Sequence, residues 1–96
     1  MDTRYEASTL VNNTAAGRFE MEVEGATAFI KYKNMRDAVA LLHTEVPPAL
    51  EGRGVAAALV EKTFKYLEER NQKIVPLCPY VAAFLKRYPE WKRIIA

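Results

Sequence analysis

Cysteine occurs once in these 96 residues, at Cys78, and histidine once, at His43. A single thiol excludes an internal disulfide framework and suits a reducing compartment. One Cys and one His cannot build a structural zinc site without carboxylate help, so no metal is expected. Long apolar runs are missing as well: no stretch approaches the length of a membrane span, and residues 1–10 carry Asp2, Arg4 and Glu6 where a signal peptide needs an apolar core. The chain therefore reads as cytoplasmic, without a membrane partner. Charge of one sign is scarce too. Fourteen Lys and Arg against twelve Asp and Glu leave +2, too even for life on nucleic acid but compatible with a small anionic ligand. With half the residues hydrophobic and 27% charged, the composition is that of a globular protein, and the length is that of one domain, 1–96.

What is present is a run of alternating patterns followed by helical ones. Residues 1–8 are polar and read as flexible, with no role. Thr9–Asn12 suits a short strand and 13–17 a turn. Phe19, Met21 and Val23 alternate with Glu20, Glu22 and Glu24, the signature of a half-buried strand. Glu24-Gly25 is the turn into Ala26–Lys33, with Ala28, Ile30 and Tyr32 on one face and Phe29, Lys31 and Lys33 on the other. Ala38–Val46 completes an antiparallel meander, Val39 and Leu41 on one face and Leu42 on the other. From Val55 to Arg70, Leu59, Val60, Thr63, Phe64 and Leu67 recur at helical spacing, and Asn71 stands where the helix would end. Ile74-Val75 is a short apolar strand reached by a parallel crossover. Pro79 opens a second helix whose apolar side is Val81, Phe84, Leu85 and Tyr88, and Pro89 stops it, with Trp91 in the tail packed back. The fold class is α/β, more strictly α+β: a mostly antiparallel sheet with two main helices.

The chemistry gathers around residues 43–57. Pro47 and Pro48 cannot donate to a sheet ladder and so end the strand. Gly52 and Gly54 bracket Arg53, allowing a tight turn and close backbone approach just before a helix begins. Unpaired N–H groups and the positive dipole end then coincide, which makes an anion site. A phosphate or pyrophosphate is the expected ligand, with Arg53 as the loop's cation. A nucleotide-binding Walker loop would need Gly-Lys-Ser/Thr, which the chain does not contain. A dinucleotide fingerprint would need glycine where Ala57 stands.

Glu51 to Ala56 resembles the acyl-CoA pyrophosphate loop of the GNAT acetyltransferase superfamily, Gln/Arg-x-x-Gly-x-Gly/Ala. Gly54 and Ala56 fit that pattern, and Glu51 departs from it. His-Thr-Glu-Val-Pro at 43–47, Pro-Leu-Cys-Pro-Tyr at 76–80 and Arg-Tyr-Pro-Glu at 87–90 extend the similarity to a family of very small, single-domain GNAT proteins. The resemblance implies a minimal acyl-CoA N-acyltransferase fold that uses acetyl-CoA, or coenzyme A after transfer, as co-substrate and moves an acetyl group to an amine. It implies a pyrophosphate held by Glu51, Gly52, Arg53, Gly54, Val55 and Ala56. It also implies that amides at the strand end, Val46 foremost, bond the acetyl carbonyl and the pantetheine arm.

Three side chains carry candidate chemistry, each with a plainer alternative. Cys78 follows a strand and precedes a helix N-terminus, where the dipole favours thiolate; it could attack or protonate, or be a small buried hydrophobe. In larger GNAT enzymes a tyrosine on this helix often protonates the departing thiolate, and the aligned position here is Phe84, which leaves Cys78, then Tyr80 or Tyr88, as donor or transient acyl acceptor. His43 and Glu45 share one strand face and either could be a base, or respectively a packed residue and a solvated charge. Lys86, Arg87, Lys92 and Arg93 suit a solvated helix face as well as a distal phosphate. The alternatives to an acetyltransferase are a non-catalytic acyl-CoA-binding or regulatory module and, third, a plain interaction domain. No long apolar patch demands a dimer, so a monomer is expected.

Overall fold

The computed structural model describes residues 4–96. Five strands, β1 Leu10–Asn13, β2 Arg18–Val23, β3 Ala26–Asn34, β4 Val39–Glu45 and β5 Ile74–Pro76, form one sheet in chain order. The first four are antiparallel and β5 runs parallel to β4. A short 3-10 turn, Pro48–Leu50, leads to α1, Val55–Glu69; α2, Pro79–Arg87, follows β5; a second 3-10 segment, Pro89–Ile94, comes last. This is the mostly antiparallel α/β architecture with two main helices that the patterns predict.

Both helices lie on one side of the sheet, because that side carries the apolar positions. Phe19, Met21 and Val23 of β2, Ala28, Ile30 and Tyr32 of β3, and Val39 and Leu41 of β4 are buried there against Leu59, Val60, Phe64 and Leu67 of α1 and Val81, Phe84 and Leu85 of α2. Phe64 joins the two helices and the tail, its ring centroid 5.5 Å from those of both Phe84 and Trp91. The opposite face, with Glu20, Glu22, Phe29 and Lys31, carries no helix among the described residues.

Turn chemistry agrees with the sequence. Glu24 and Gly25 both have positive φ, 50° and 80°, as a two-residue hairpin connection with the sheet's twist requires. At the end of α1, Asn71 takes φ 56° while its N–H donates to the Glu68 carbonyl (3.0 Å) and that of Gln72 to the Leu67 carbonyl (2.9 Å). That is a left-handed helix stop of the kind asparagine tolerates better than other side chains.

Three features depart from the pattern. First, Lys31 pairs with His43 but Tyr32 with Leu41, so Leu42 is an extra residue, a bulge in β4. Directly opposed residues share a face, so His43 and Glu45, opposite Lys31 and Phe29, leave the side that Leu41 occupies, and Thr44, opposite Ile30, joins it. Second, of the stretch expected to be flexible, residues 1–3 lie outside the described residues, whereas Tyr5 is buried in the core and its hydroxyl donates to the Arg53 carbonyl at 2.6 Å. Third, the tail is more than a packed tryptophan: the Ala96 N–H donates to the Ile74 carbonyl at 2.8 Å and Ile95 bridges Ile74 in parallel, partly covering the β5 edge.

Because Phe64 ties α1, α2 and the tail together while fully buried, Phe64→Ala is expected to lower the unfolding free energy by about 3–5 kcal/mol, and Phe64→Leu by distinctly less. Urea denaturation of the two variants measures the difference; equal losses would mean that ring packing does not hold this junction.

Candidate functional site

The site begins where two strands part. The last β4–β5 pair is Leu41 with Pro76, yet β4 continues to Glu45 while the other chain turns into α2. The Leu41 carbonyl accepts both the Leu77 N–H (3.1 Å) and the Cys78 N–H (2.8 Å), which anchors the turn. Pro76 and Pro79 have no N–H to extend the ladder. The end of β4 and the start of α2 are thus left unpaired, a slot in the sheet's ladder.

On the helix side of the slot, Cys78 Sγ lies 3.3 Å from Thr44 Oγ1, and either group can donate. The thiol is 2% exposed. On the open side, His43 Nε2 and Glu45 Oε1 are 3.5 Å apart, with side chains 58% and 60% exposed, and the His43 ring meets that of Phe29 edge-on at 6.5 Å. The structure thus brings Cys78 to Thr44, and His43 to Glu45, but puts these pairs on opposite faces of β4. Thr44 is absent from the sequence-based candidates, because only the bulge turns it toward Cys78.

The loop is built as its glycines require. Gly52 and Gly54 have φ of 74° and 77°, a left-handed conformation that other residues adopt only with strain. Gly54 caps α1, and the first helical bond runs from the Ala58 N–H to its carbonyl at 3.1 Å. The N–H groups of Val55, Ala56 and Ala57 therefore precede the ladder and present the positive end of the helix. A groove of about 280 Å³ joins this end to α2, lined by Val46, Leu50, Glu51, Gly52, Gly54, the first turn of α1 and Tyr80. Burial raises the Tyr80 phenol above its usual 10.0, with Tyr88 adding to the effect and Arg87 opposing it, so the groove holds an O–H donor at neutral pH.

Arg53 does not line the groove. Its guanidinium turns to the β2–β3 hairpin and makes a two-pronged ion pair with Glu24, one prong Nη1 to Oε1 at 3.4 Å. The hydrogen bond and charge of Arg53 pull the Glu24 carboxyl below its usual 4.5, and Glu24 in turn raises Arg53. The side chain that the sequence aims at phosphate is thus already paired, and the loop offers backbone amides.

Among the described residues no group of three or more His, Cys, Asp or Glu could hold a metal ion, and no helix is long and apolar enough to cross a membrane.

Comparison with known proteins adds a family. Residues 18–94 match the family model of the GCN5-related N-acetyl-transferases. Protein NATD1 of Xenopus tropicalis is 35% identical over 54 residues, covering 56% of this chain and 50% of that protein. Protein NATD1 of Homo sapiens is 37% identical over 51 residues, covering 53% of this chain and 45% of that protein. The chain spans about half the length of the curated relatives it matches.

The Glu24–Arg53 pair has a pH signature. A carboxyl whose folded pKa is lowered stabilises the fold fully above its unfolded value, and that stabilisation disappears as pH falls through the lowered folded value. Wild type is therefore expected to melt slightly above Glu24→Gln at neutral pH and low salt. The gap should close on acidification below about pH 4.5 and shrink in high salt, since both groups are exposed. Thermal melts across pH check this, and a gap that persists in acid would exclude the ion pair as its cause.

Proposed function

The chain belongs to the GCN5-related N-acetyltransferase family, and from that premise we propose that it transfers an acetyl group from acetyl-CoA to an amine across the slot between β4 and β5. The observation that carries the reading is the slot itself: a parallel pair that stops at Leu41 and Pro76 beside a helix N-terminus with two left-handed glycines. The donor set suits a pyrophosphate, since amides at the positive end of a helix bind oxyanions without needing a cationic side chain.

In this reading the amides of Gly52, Arg53, Gly54, Val55 and Ala56 hold the pyrophosphate, whereas that of Glu51, expected to join them, is already donated to the Pro48 carbonyl at 3.2 Å; the Val46 N–H directs the acetyl carbonyl and stabilises the oxyanion that forms as the amine adds. Acetyl-CoA supplies a thioester-activated acetyl group. On the open face His43, oriented by Glu45 at 3.5 Å, takes the proton from the incoming ammonium, directly or through water. On the helix face Cys78 gives a proton to the departing CoA thiolate and recovers, through the Thr44 hydroxyl at 3.3 Å, the second proton, which the nitrogen sheds on becoming the amide. Base and acid on opposite faces of one slot suit a direct transfer, with the acceptor entering from the side that bears no helix.

A second reading, a non-catalytic acyl-CoA-binding module, is favoured by one observation, the 2% exposure of Cys78.

Calorimetric titration with acetyl-CoA and a panel of amines separates them. Wild type should bind, and Gly54→Glu, which forces a charged side chain into a left-handed position in the cradle, should lose binding while keeping its circular dichroism. Cys78→Ala should keep CoA affinity and turn over roughly 10²-fold more slowly. Binding without turnover of any amine would establish the module. Absence of acetyl-CoA binding by wild type would overturn both readings.

A further inference from the structure

The segment 4–8 reaches the anion loop at the Arg53 carbonyl oxygen. Tyr5 donates its hydroxyl to that oxygen at 2.6 Å and Arg4 donates Nη2 to it at 2.8 Å. The Tyr5 ring is buried in the core; the Ser8 N–H closes a turn on the Tyr5 carbonyl at 3.0 Å, and Lys62 Nζ ties the Glu6 carbonyl to α1 at 3.4 Å. The hydroxyl is thus delivered from a fixed base. Neither Arg4 nor Tyr5 lines the groove.

This carbonyl belongs to the peptide unit that also carries the Gly54 N–H. The unit is planar and trans, so its C=O and N–H point in opposite directions. Turning the plane over changes mainly ψ of Arg53 and φ of Gly54, and glycine accepts either sign of φ. The Arg53–Gly54 peptide is therefore the part of the loop that can invert with the chain ends in place. Inverted, it would present a carbonyl oxygen where the loop needs an N–H, repelling the anion it should bind. Two donors on the oxygen oppose that inversion and, by polarising the amide, strengthen the N–H at the other end.

We propose, resting on the acyl-CoA reading of the loop, that Tyr5 and Arg4 are positioning residues for coenzyme A: they fix the Arg53–Gly54 peptide so that the Gly54 N–H faces the pyrophosphate.

The test compares wild type, Tyr5→Phe, which keeps the buried ring and loses the hydroxyl, and Arg4→Met, a change at an exposed position that keeps the Tyr5 hydroxyl while removing both the Arg4 hydrogen bond and the guanidinium 5.5 Å above the Tyr5 ring. CoA affinity is measured by calorimetry, and the Gly54 amide is followed in proton–nitrogen correlation spectra. Each variant is expected to bind CoA about fivefold more weakly, as loss of one hydrogen bond implies. The Gly54 resonance should be displaced in the free variants and respond less to CoA. A purely structural role would lower the melting temperature while leaving CoA affinity, measured below it, and the Gly54 resonance as in wild type. Wild-type affinity and an unmoved Gly54 resonance in Tyr5→Phe overturn the proposal while leaving the acyl-CoA reading intact. Failure of wild type to bind CoA overturns both.

Discussion

Parallel pairing between β4 and β5 stops at Leu41 and Pro76, and the rest of the site takes its position from that stop. The Leu41 carbonyl holds two successive N–H groups, of Leu77 and Cys78, so the chain leaves the sheet at a fixed angle and α2 begins beside the slot. From Leu42 to Glu45, β4 has β3 on one side only, and its other edge is bare backbone. A bare edge is normally a liability, because unpaired N–H and C=O groups invite another strand. An extended, amide-containing ligand arm would satisfy the same groups, which is the physical purpose that the proposed acyl-CoA binding gives the interrupted sheet.

The Leu42 bulge decides which chemistry meets which face. Strict alternation would line up Leu41, His43 and Glu45 and send Thr44 to the open side. One inserted residue reverses this beyond position 42, so a hydroxyl joins the buried thiol and the two titratable side chains reach solvent. The exchange is favourable on burial grounds alone. Turning an imidazole and a carboxylate toward the apolar side would cost several kcal/mol unless both were fully paired, whereas a threonine needs one partner. The bulge therefore lets β4 be part of the core up to Leu41 and carry polar side chains after it.

How much of this the sequence discloses depends on whether the signal is local. Phe19, Met21 and Val23 alternating with glutamates, Glu24-Gly25 at a hairpin, the Leu59 to Leu67 spacing and Asn71 at the helix end each encode their own structure, and the elements lie where those residues put them. The glycines around Arg53 disclose the left-handed loop for the same reason. The bulge is not local: nothing in Leu41-Leu42-His43 marks an insertion, which exists only relative to Lys31 and Tyr32 on the neighbouring strand. Tyr5 is hidden likewise, an aromatic in a polar stretch whose partner lies 48 positions away. Arg53 looks free in sequence because its counter-ion, Glu24, is contributed by a distant hairpin. Local patterns thus give the elements and the loop, while partners across the sheet give the identity of the residues that meet.

The environment of Cys78 bears on which of its two proposed roles the fold can support. A transient acetyl-cysteine requires the thioester carbon to reach sulfur and the adduct to occupy space beside Thr44, within the packed core. In a close-packed interior, added heavy atoms cost about 1–3 kcal/mol even where neighbours shift. Proton donation needs no such space, since hydrogen-bond reach is sufficient and the thiol already sits 3.3 Å from a hydroxyl that can return the proton. A thiol 2% exposed, at the first residue before α2, is thus better arranged to neutralise a departing thiolate than to attack a carbonyl. The same burial protects it from adventitious oxidation. Direct transfer, with the amine approaching from the open face, asks less rearrangement of this core than the covalent route.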